Sequence, residues 1–356
     1  MKILHIIYSP GIGGSEAVFI NYINALNARK HTSYSVTNHN FCYNEKISNL
    51  CADYLTIKFR NFTNISVILR VRKFIKKNKI DIIICHNGRA MKIAKLAAFK
   101  LVPIVAINHL FDNVKHSRKC DAVFCMTDYF KEFLIRKKHN AEKIYIVPNF
   151  LNSLPLKKYK QRKLKATPIL GLLNRMDKNK ANHNFLSACK ILKEKKFKAI
   201  LAGDGPERTM LEKYIKDHDL DNKIKIIGWI DSKQKEDFFN KIDILCISSI
   251  YETFSMVALE AMARGIPVIS TKCHGPEAII KHKYDGLLCE VNDSEDLAKQ
   301  ISYLLDEPEI YKIMSKNAYK TSGYYYSKNI ASIIEDNLQK IIKQKKNVKK
   351  IKAKNP

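Results

Sequence analysis

Residues 251–270 read YETFSMVALEAMARGIPVIS, and this stretch decides the fold class. An apolar run, Ile244–Ser248, precedes it and another, Val268–Thr271, closes it, while Met256–Arg264 between them is typical of a helix. A strand, a helix and a second strand in this order form the crossover unit of a parallel sheet. The stretch therefore predicts a parallel α/β fold.

The same alternation of short apolar runs and helix-like segments extends outward through both halves of the chain. Apolar runs without strict alternation are typical of strands buried on both faces of a parallel sheet. The strands predicted in the first half are Ile3–Tyr8, Ser33–Thr37, Tyr54–Lys58, Asp81–His86, Ile104–His109, Ala122–Met126 and Ile144–Pro148. In the second half they are Ile169–Leu173, Ala199–Gly203, Ile224–Gly228, Ile244–Ser248, Val268–Thr271 and Gly286–Glu290. Predicted helices include Ser15–Ala28, Ile65–Lys77, Arg89–Lys100, Asn184–Glu194, Pro206–Lys216, Met256–Arg264 and Ser294–Leu305.

A basic, weakly patterned stretch interrupts this rhythm and marks a domain boundary. We predict a Rossmann-like domain at 1–150, a linker at 151–167, a second Rossmann-like domain at 168–320, a terminal helix at 321–346 and a basic tail at 347–356. Ligands of such folds bind beyond the carboxyl ends of the strands, and two facing sheets would form a cleft.

Composition narrows the class of protein. The formal net charge of +29 indicates a partner of opposite sign: nucleic acid, anionic lipid or a phosphorylated substrate. The nine cysteines stand singly, without a Cys-x-x-Cys pair, which predicts buried, reduced thiols. The N-terminus is predicted to be a strand and not a signal peptide, and no window is apolar enough for a transmembrane helix. We expect a cytoplasmic protein that is soluble or peripheral.

Two glutamates frame the start of the helix in residues 251–270. Free backbone N–H groups at Ser255, Met256 and Val257 would form an anion site suited to a diphosphate. Glu252 precedes that site, and Glu260, in the second helical turn, could accept hydrogen bonds from ribose hydroxyls.

Further polar or glycine-rich segments follow other predicted strands. They are Leu172–Lys180 with Arg175 and Lys180, Ala202–Glu207 with Gly203 and Gly205, Gly228-Trp229-Ile230, Lys272–Glu277, and Gly11–Glu16 with Gly13 and Gly14. The last is not a Gly-x-Gly-x-x-Gly motif, since Glu16 occupies the third glycine position, and it lacks the Gly-Lys-Ser/Thr of a P-loop. Two histidines, His86 and His109, end predicted strands.

Together these segments resemble glycosyltransferase family 4, the retaining GT-B enzymes also called glycosyl transferases group 1. The match is tight from Ile169 to Leu305 and loose before. It implies an acceptor-side first domain facing a nucleotide-sugar-binding second domain across a cleft, with a C-terminal helix that crosses back onto the first domain. Residues 251–270 resemble the Glu-x7-Glu motif of that family, so Glu252 would lie near the donor sugar and Glu260 would hold the ribose. Asn174 and Ala181 replace two glycines of the family pattern.

The resemblance implies roles for the other segments as well. Arg175 and Lys180 match the two cations that neutralise the donor diphosphate, and fixed cations stabilise the charge that develops as the nucleoside diphosphate departs. His109 matches a residue that contacts the transferred sugar, whereas His86 only lines the cleft. The remaining implied donor-binding residues are Gly13, Gly14, Gly203, Gly205, Ile230, Phe254, Ser255, Met256 and Val257. Lys272–Glu277 matches the family's Gly-Gly-x-x-Glu turn only in part.

No metal and no cofactor is expected; the nucleotide-diphosphate sugar is a substrate. Asp217–Asp221 contains the Asp-x-Asp pattern that binds a divalent cation in the other large glycosyltransferase fold. Here the pattern follows a predicted helix and precedes a strand, with Lys216 and Lys223 beside it, which indicates a solvated loop.

Two basic features suit docking on anionic lipid. The helix from Ile65 carries Arg70, Arg72, Lys73, Lys76 and Lys77, and the chain after Asp336 holds eight lysines and no acid. A solvated helix face and a disordered tail explain the same residues equally well. Peripheral attachment to the inner face of the membrane would suit a lipid-linked acceptor.

The sequence predicts transfer of a hexose or hexosamine to a glycan or lipid-linked acceptor, in surface polysaccharide or lipopolysaccharide synthesis. One alternative is a nucleotide-sugar epimerase of the same fold, which the pairs Arg175/Lys180 and Glu252/Glu260 disfavour. Another is a basic nucleic-acid-binding protein, but no recognition module is visible and both glutamates would lack a role. We therefore expect no nucleic-acid partner.

Overall fold

The computed structural model describes residues 1–9, 11, 13–58, 64–99, 101–112, 114–153 and 158–354, with side chains through residue 348. The chain divides into two compact units. The first comprises Met1–Asn152 together with the C-terminal segment from Tyr326, and the second comprises Ser153–Tyr325. Residues 154–157 of the expected linker, residue 12 of the first glycine loop, and the tail side chains after residue 348 lie outside the described residues.

The first unit contains a parallel sheet in the order β3-β2-β1-β4-β5-β6-β7. Its strands are β1 Lys2–Ile6, β2 Thr32–Asn38, β3 Asp53–Ile57, β4 Ile82–Cys85, β5 Ile104–Ile107, β6 Ala122–Cys125 and β7 Ile144–Ile146. Its helices are α1 Gly14–Ala28, α2 Asn44–Leu50, α3 Ile65–Lys77, α4 Gly88–Ala97 and α5 Asp128–Arg136. Every residue of β4, β5 and β6 is buried, as expected for central strands covered on both faces.

The terminal helix belongs to this first unit. It runs from Ser327 to Lys354, and its apolar stripe is buried in the core that holds β1 and α1. Residues of the stripe are Ile330, Ile334, Leu338 and Ile341. The Ser327 amide donates to the Leu151 carbonyl at 2.8 Å, which fixes the start of the helix against the end of the first unit's N-terminal part. We call it α12.

The second unit contains a parallel sheet in the order β10-β9-β8-β11-β12-β13. Its strands are β8 Ile169–Leu173, β9 Lys198–Ala202, β10 Ile224–Gly228, β11 Ile244–Ile247, β12 Val268–Thr271 and β13 Gly286–Cys289. Its helices are α6 Asn182–Ile191, α7 Arg208–Asp217, α8 Ser232–Lys241, α9 Met256–Met262, α10 Ser294–Asp306 and α11 Pro308–Tyr324. In both sheets the strand order reverses beside the first strand, the topology that opens a binding crevice at the carboxyl ends.

The α/β fold is confirmed, and each predicted strand is present with ends that differ by at most two residues. Two strands end earlier than predicted: β4 stops one residue before His86, whose amide still donates to the Ile6 carbonyl, and β5 stops two residues before His109. Four helices, α2, α5, α8 and α11, had not been picked out from the sequence.

The cysteines are all free, and seven of the nine are buried. The expectation of a buried thiol is wrong at Cys42, which is exposed in the turn that precedes α2; its Sγ lies 3.3 Å from the Gly11 carbonyl. Cys51 is half-buried at the end of α2.

Candidate active site

An ion pair between Lys180 and Glu252 lies at the carboxyl end of the second sheet. The Lys180 ammonium is 2.5 Å from Glu252 Oε1, and both side chains are largely shielded from solvent. Ser249 donates its hydroxyl to the same carboxylate oxygen at 3.4 Å. Lys180 ends the turn after β8 and Glu252 lies in the loop after β11, and these two strands are neighbours in the sheet.

Hydrogen bonds to backbone groups hold the two loops together. Ser248 Oγ donates to the Lys180 carbonyl at 2.9 Å, and the Ile250 amide donates to the Asn179 carbonyl at 2.8 Å. On its other side the Glu252 carbonyl accepts from the Gly275 amide at 3.2 Å. A side chain at Gly275 would collide with the backbone of Phe254 at 2.5 Å, so the partly matched glycine turn packs directly on the glutamate loop.

Three non-glycine residues around this ion pair adopt the left-handed backbone conformation. They are Ala181 with φ 43°, Ser255 with φ 78° and His274 with φ 55°. A residue with a Cβ atom is strained by about 1–2 kcal/mol in this region, and such strain concentrates at functional sites. Ala181 directly follows Lys180, and Ser255 immediately precedes α9, so the strain lies in the segments that position the charged groups.

Glu260 lies in the middle of α9 and pairs with a lysine from the preceding helix. The Lys235 ammonium of α8 is 2.6 Å from each carboxylate oxygen of Glu260. Arg264, one turn further along, donates to the Glu260 carbonyl at 2.7 Å and also pairs with Glu236. The carboxylate is therefore held in one orientation while part of its surface stays accessible to solvent.

Arg175, the other predicted cation, is far more exposed than Lys180. Its side chain is 75% exposed, and its nearest ion-pair partner, Asp177, is 3.8 Å away. The backbone beside it is tightly fixed, because Gly203 has φ +126° and a Cβ atom there would overlap the Asn174 carbonyl. The Gly205 turn is similarly close to Met176, so the loops after β8 and β9 pack backbone to backbone.

The remaining predicted donor residues of the second unit divide into two groups. Ile230 and the exposed Trp229 follow β10 at the carboxyl edge of the sheet, and Met256 and Val257 are partly exposed in the first turn of α9. The side chains of Phe254 and Ser255 are buried. The Phe254 ring packs edge-on against that of Tyr325, with 5.8 Å between centroids, so its side chain belongs to the core of the second unit.

In the first unit, Gly13 and Gly14 open α1 beside a buried carboxylate. Gly13 is the last extended residue and Gly14 the first helical one, and both are exposed. Glu16 is buried, and its Oε2 accepts from the Ser15 hydroxyl at 2.8 Å. A Cβ atom at Gly13 would lie 3.1 Å from that oxygen, so the glycine loop covers the carboxylate closely.

His109 lies in a cluster of three histidines on the α1 side of the first sheet. Its ring stacks on that of His86 with 5.8 Å between centroids, and His5 lies 6.0 Å beyond. Phe19 and Tyr22 of α1 pack edge-on against His86. Within the described part of the chain, neither ring nitrogen of His5 or His86 has a hydrogen-bond partner, and the same holds for His109 Nε2.

Burial determines the charge of this cluster. It lowers the pKa of His5 to about 3 and that of His109 to about 4, although the Glu16 carboxylate opposes the shift at His109. Burial, with His109 and His5 nearby, holds the pKa of His86 well below its usual value. The three imidazoles are therefore neutral at pH 7, and each can donate or accept a hydrogen bond.

The structure brings Lys180 and Glu252 into contact and gives Glu260 a partner that sequence reasoning missed. Lys235 lies in α8, which was not predicted, and no motif marks it. Glu16 and His5 were also missed as neighbours of His109; a histidine within an otherwise apolar strand was the available signal.

Among the described residues, no group of three His, Cys, Asp or Glu side chains could hold a metal ion, and the Asp-x-Asp segment follows α7 and precedes β10. None of the described helices is long and apolar enough to cross a membrane.

Comparison with known proteins places this geometry in a family. The family model described as Glycosyl transferases group 1 matches residues 156–321, and that described as Glycosyltransferase Family 4 matches residues 12–153. The lipopolysaccharide core biosynthesis glycosyltransferase LpsE of Rhizobium meliloti (strain 1021) is 24% identical over 90% of this chain and 94% of LpsE. The UDP-Gal:alpha-D-GlcNAc-diphosphoundecaprenol alpha-1,3-galactosyltransferase of Escherichia coli is 23% identical over 89% of this chain and 91% of that enzyme.

A solved structure shows the same fold. The crystal structure of HepE from Anabaena in complex with UDP matches with a TM-score of 0.82 at 19% identity, covering 96% of this chain and 100% of HepE. The two family models together span most of the sequence and meet near the boundary between the two units. The chain belongs to the glycosyl transferases group 1 and family 4, and it is a glycosyltransferase with the GT-B fold.

Proposed function

We propose that this glycosyltransferase transfers a hexose or hexosamine from a nucleotide-diphosphate sugar to a glycan or lipid-linked acceptor, with retention of anomeric configuration and without a metal ion. The reaction would serve surface polysaccharide or lipopolysaccharide assembly on the cytoplasmic side of the membrane. The observation that carries the proposal is the Lys180–Glu252 ion pair at the carboxyl edge of the second sheet, in the same connection after β11 that places Glu260 beside Lys235.

The charged groups of the second unit suit a nucleoside diphosphate. Lys180 and Arg175 would bind the diphosphate and stabilise the negative charge that develops on it as the bond to the sugar breaks. The backbone N–H groups of residues 255–257 would add hydrogen bonds to the same anion. Glu260, held by Lys235, would accept hydrogen bonds from the ribose hydroxyls.

Glu252 and His109 would orient the transferred sugar. Glu252 is already engaged by Lys180 and Ser249, so it is suited to hold a hydroxyl and not to form a bond with the anomeric carbon. We propose same-face attack: the acceptor oxygen bonds to the anomeric carbon as the bond to phosphate breaks, and a phosphate oxygen takes the acceptor proton. Neutral His109 can donate or accept a hydrogen bond on the sugar.

The relatives guide the choice of substrates. One is named for lipopolysaccharide core biosynthesis and another for a diphosphoundecaprenol-linked acceptor, and HepE has been solved with UDP-glucose. We therefore propose a uridine-diphosphate hexose or hexosamine as the first donor to test and a diphosphoundecaprenol-linked sugar as the first acceptor.

The test is a transfer assay in EDTA with UDP-, GDP- and ADP-linked hexoses and hexosamines, with and without that acceptor. We expect acceptor-dependent release of one nucleoside diphosphate, and a product whose anomeric proton coupling shows the configuration of the donor. An inverted product would contradict retention, and activity restored only by divalent cations would contradict the metal-free mechanism. Acceptor-independent conversion of the donor into a free or altered sugar would identify an epimerase.

A further inference from the structure

The first unit carries a surface that combines exposed apolar side chains with an excess of positive charge. It is formed by α3, α4 and the turn after α4, and we call it the α3–α4 surface. The two helices pack against each other, and the Arg72 guanidinium donates to the Ala97 carbonyl at 3.0 Å. Beneath the surface, Val71 and Phe74 of α3 and Ile93 of α4 are buried.

Four large apolar side chains point outward from this surface. Ile65 is 68% exposed and Leu69 57% exposed, one turn apart on α3. Leu96 is 52% exposed at the end of α4, and Phe99, in the following turn, is 63% exposed. Since Arg72 lies three residues after Leu69 and bonds to the residue after Leu96, the two apolar pairs lie on adjoining parts of one surface.

The charged residues of α3 and α4 are all positive. The two helices hold eight Lys and Arg residues and no Asp or Glu. Lys73 and Lys76 are exposed in the second half of α3, and Lys92 and Lys95 are partly exposed on α4. Lys77 lies 3.1 Å from Asp53, which offsets part of its charge, while the exposed Lys73 and Lys76 extend the positive surface toward Leu69.

We propose that the α3–α4 surface docks on an anionic lipid bilayer. Exposed leucine, isoleucine and phenylalanine side chains can enter the boundary between head groups and acyl chains, while lysines and arginines contact anionic head groups. A nucleic-acid backbone would satisfy the charges but leave the four apolar side chains in water. This proposal rests on the proposed function, because docking on a bilayer would bring the enzyme to a lipid-linked acceptor.

The test is sedimentation of the purified full-length protein with vesicles of phosphatidylcholine alone and of phosphatidylcholine with about one third phosphatidylglycerol. Two double variants probe the surface: Leu69→Asn with Phe99→Asn for insertion, and Lys73→Glu with Lys76→Glu for charge. The matched control is Ile313→Asn with Lys316→Glu on α11, where a single exposed isoleucine lies beside exposed lysines. Circular dichroism melting verifies that every variant is folded.

We expect the wild type and the α11 control to bind the anionic vesicles alike and neutral vesicles much less. Each surface variant should lower the partition coefficient at least about tenfold, with binding of the wild type falling as salt rises. Equal binding by all variants, equal binding to both vesicles, or no binding would overturn the proposal. The proposal would also be overturned if the charge variant bound a random DNA duplex about tenfold more weakly than the wild type does and the wild type did not bind vesicles. Vesicle binding needs no turnover, so a failed transfer assay and a failed docking test are separate results.

Discussion

The polar groups of the two units are stabilised in opposite ways. In the second unit, Lys180 pairs with Glu252 and Lys235 pairs with Glu260, so each of these side chains lies beside one of opposite sign. In the first unit, His86 lies between aromatic rings and other imidazoles and is neutral because burial disfavours its charged form. This difference supports our proposal that the second unit binds the anionic donor, while the neutral imidazoles of the first unit can donate or accept hydrogen bonds.

The backbones differ as well. The charged pair is surrounded by the left-handed residues Ala181, Ser255 and His274. His86 and His109, in contrast, directly continue the chain beyond buried strands of the first sheet. Loops with a strained backbone position the charged side chains, whereas the packing of a regular sheet against α1 positions the imidazoles. The following predictions test whether this distinction has consequences for activity and stability.

The largest effect is expected from removing the fixed cation. Lys180→Ala should lower kcat/KM about a hundredfold to a thousandfold, because it removes charge stabilisation of the leaving diphosphate and leaves Glu252 without its partner. The measurement is steady-state transfer with the best donor. Lys178→Ala, at an exposed lysine of the same turn, is the control and should stay close to wild type. Equal losses in both variants would mean that overall charge, and not the ion pair, matters.

Arg175→Ala should have a smaller effect that falls mainly on kcat. Its side chain is 75% exposed, so solvent screens it before the donor binds, and we expect about a tenfold decrease. Saturation kinetics separate kcat from KM. An increase in KM with unchanged kcat would show that Arg175 contributes only to uniform binding of the donor and would make the two cations functionally different.

The histidine cluster should make the first unit sensitive to acid. Burial lowers the pKa of His5 to about 3 and that of His109 to about 4, whereas the unfolded chain has the usual value near 6.5. The unfolded state therefore binds more protons in this window, and the free energy of unfolding falls as pH decreases from about 6.5 toward 4.

His5→Leu should reduce that slope by up to about 1.4 kcal/mol per pH unit, since one titrating group is removed. Urea unfolding at a series of pH values, monitored by circular dichroism, measures it. His39→Leu, at an exposed histidine of the same unit, is the control. An unchanged slope in His5→Leu would contradict the picture of buried, neutral imidazoles.

The smallest effect concerns the strained backbone after Lys180. Ala181→Gly should change the free energy of unfolding by no more than a few tenths of a kcal/mol, because relief of strain at φ 43° offsets glycine's larger entropy loss and the lost burial of the Ala181 methyl group. Ala188→Gly, in the middle of α6, should instead lower it by about 1 kcal/mol. Thermal unfolding compares the two. Destabilisation of similar size in both variants would mean that Ala181 is not strained.

The sequence was sufficient for the fold because parallel strands buried on both faces produce unbroken apolar runs. Segments such as Ile82–Cys85 and Ile244–Ile247 carry that signal fully. Of the helices that were not predicted, α8 has a strongly polar composition, and only Phe238 and Phe239 of it are buried. Strand ends were placed too late at His86 and His109 because local composition does not reveal where pairing stops.

The charged half of the site was predictable and its partners were not. Glu252, Glu260 and Lys180 stand in motifs with fixed spacing, so their chemistry is visible before their contacts are known. Lys235 reaches Glu260 from another helix, a contact that depends on the packing of α8 against α9. The outward direction of Leu96 and Phe99 likewise follows from how α3 and α4 pack.

The central claim is that the paired charges of the second unit bind a nucleoside diphosphate. Calorimetric binding of UDP, GDP, ADP and CMP in EDTA tests it most directly, on the wild type, on Glu260→Ala and on Glu236→Ala as the matched acidic control. We predict selective binding of one nucleoside diphosphate, weakened about tenfold or more in Glu260→Ala and unchanged in Glu236→Ala. Equal binding of all four nucleotides, or equal affinity in the wild type and Glu260→Ala, would contradict the account.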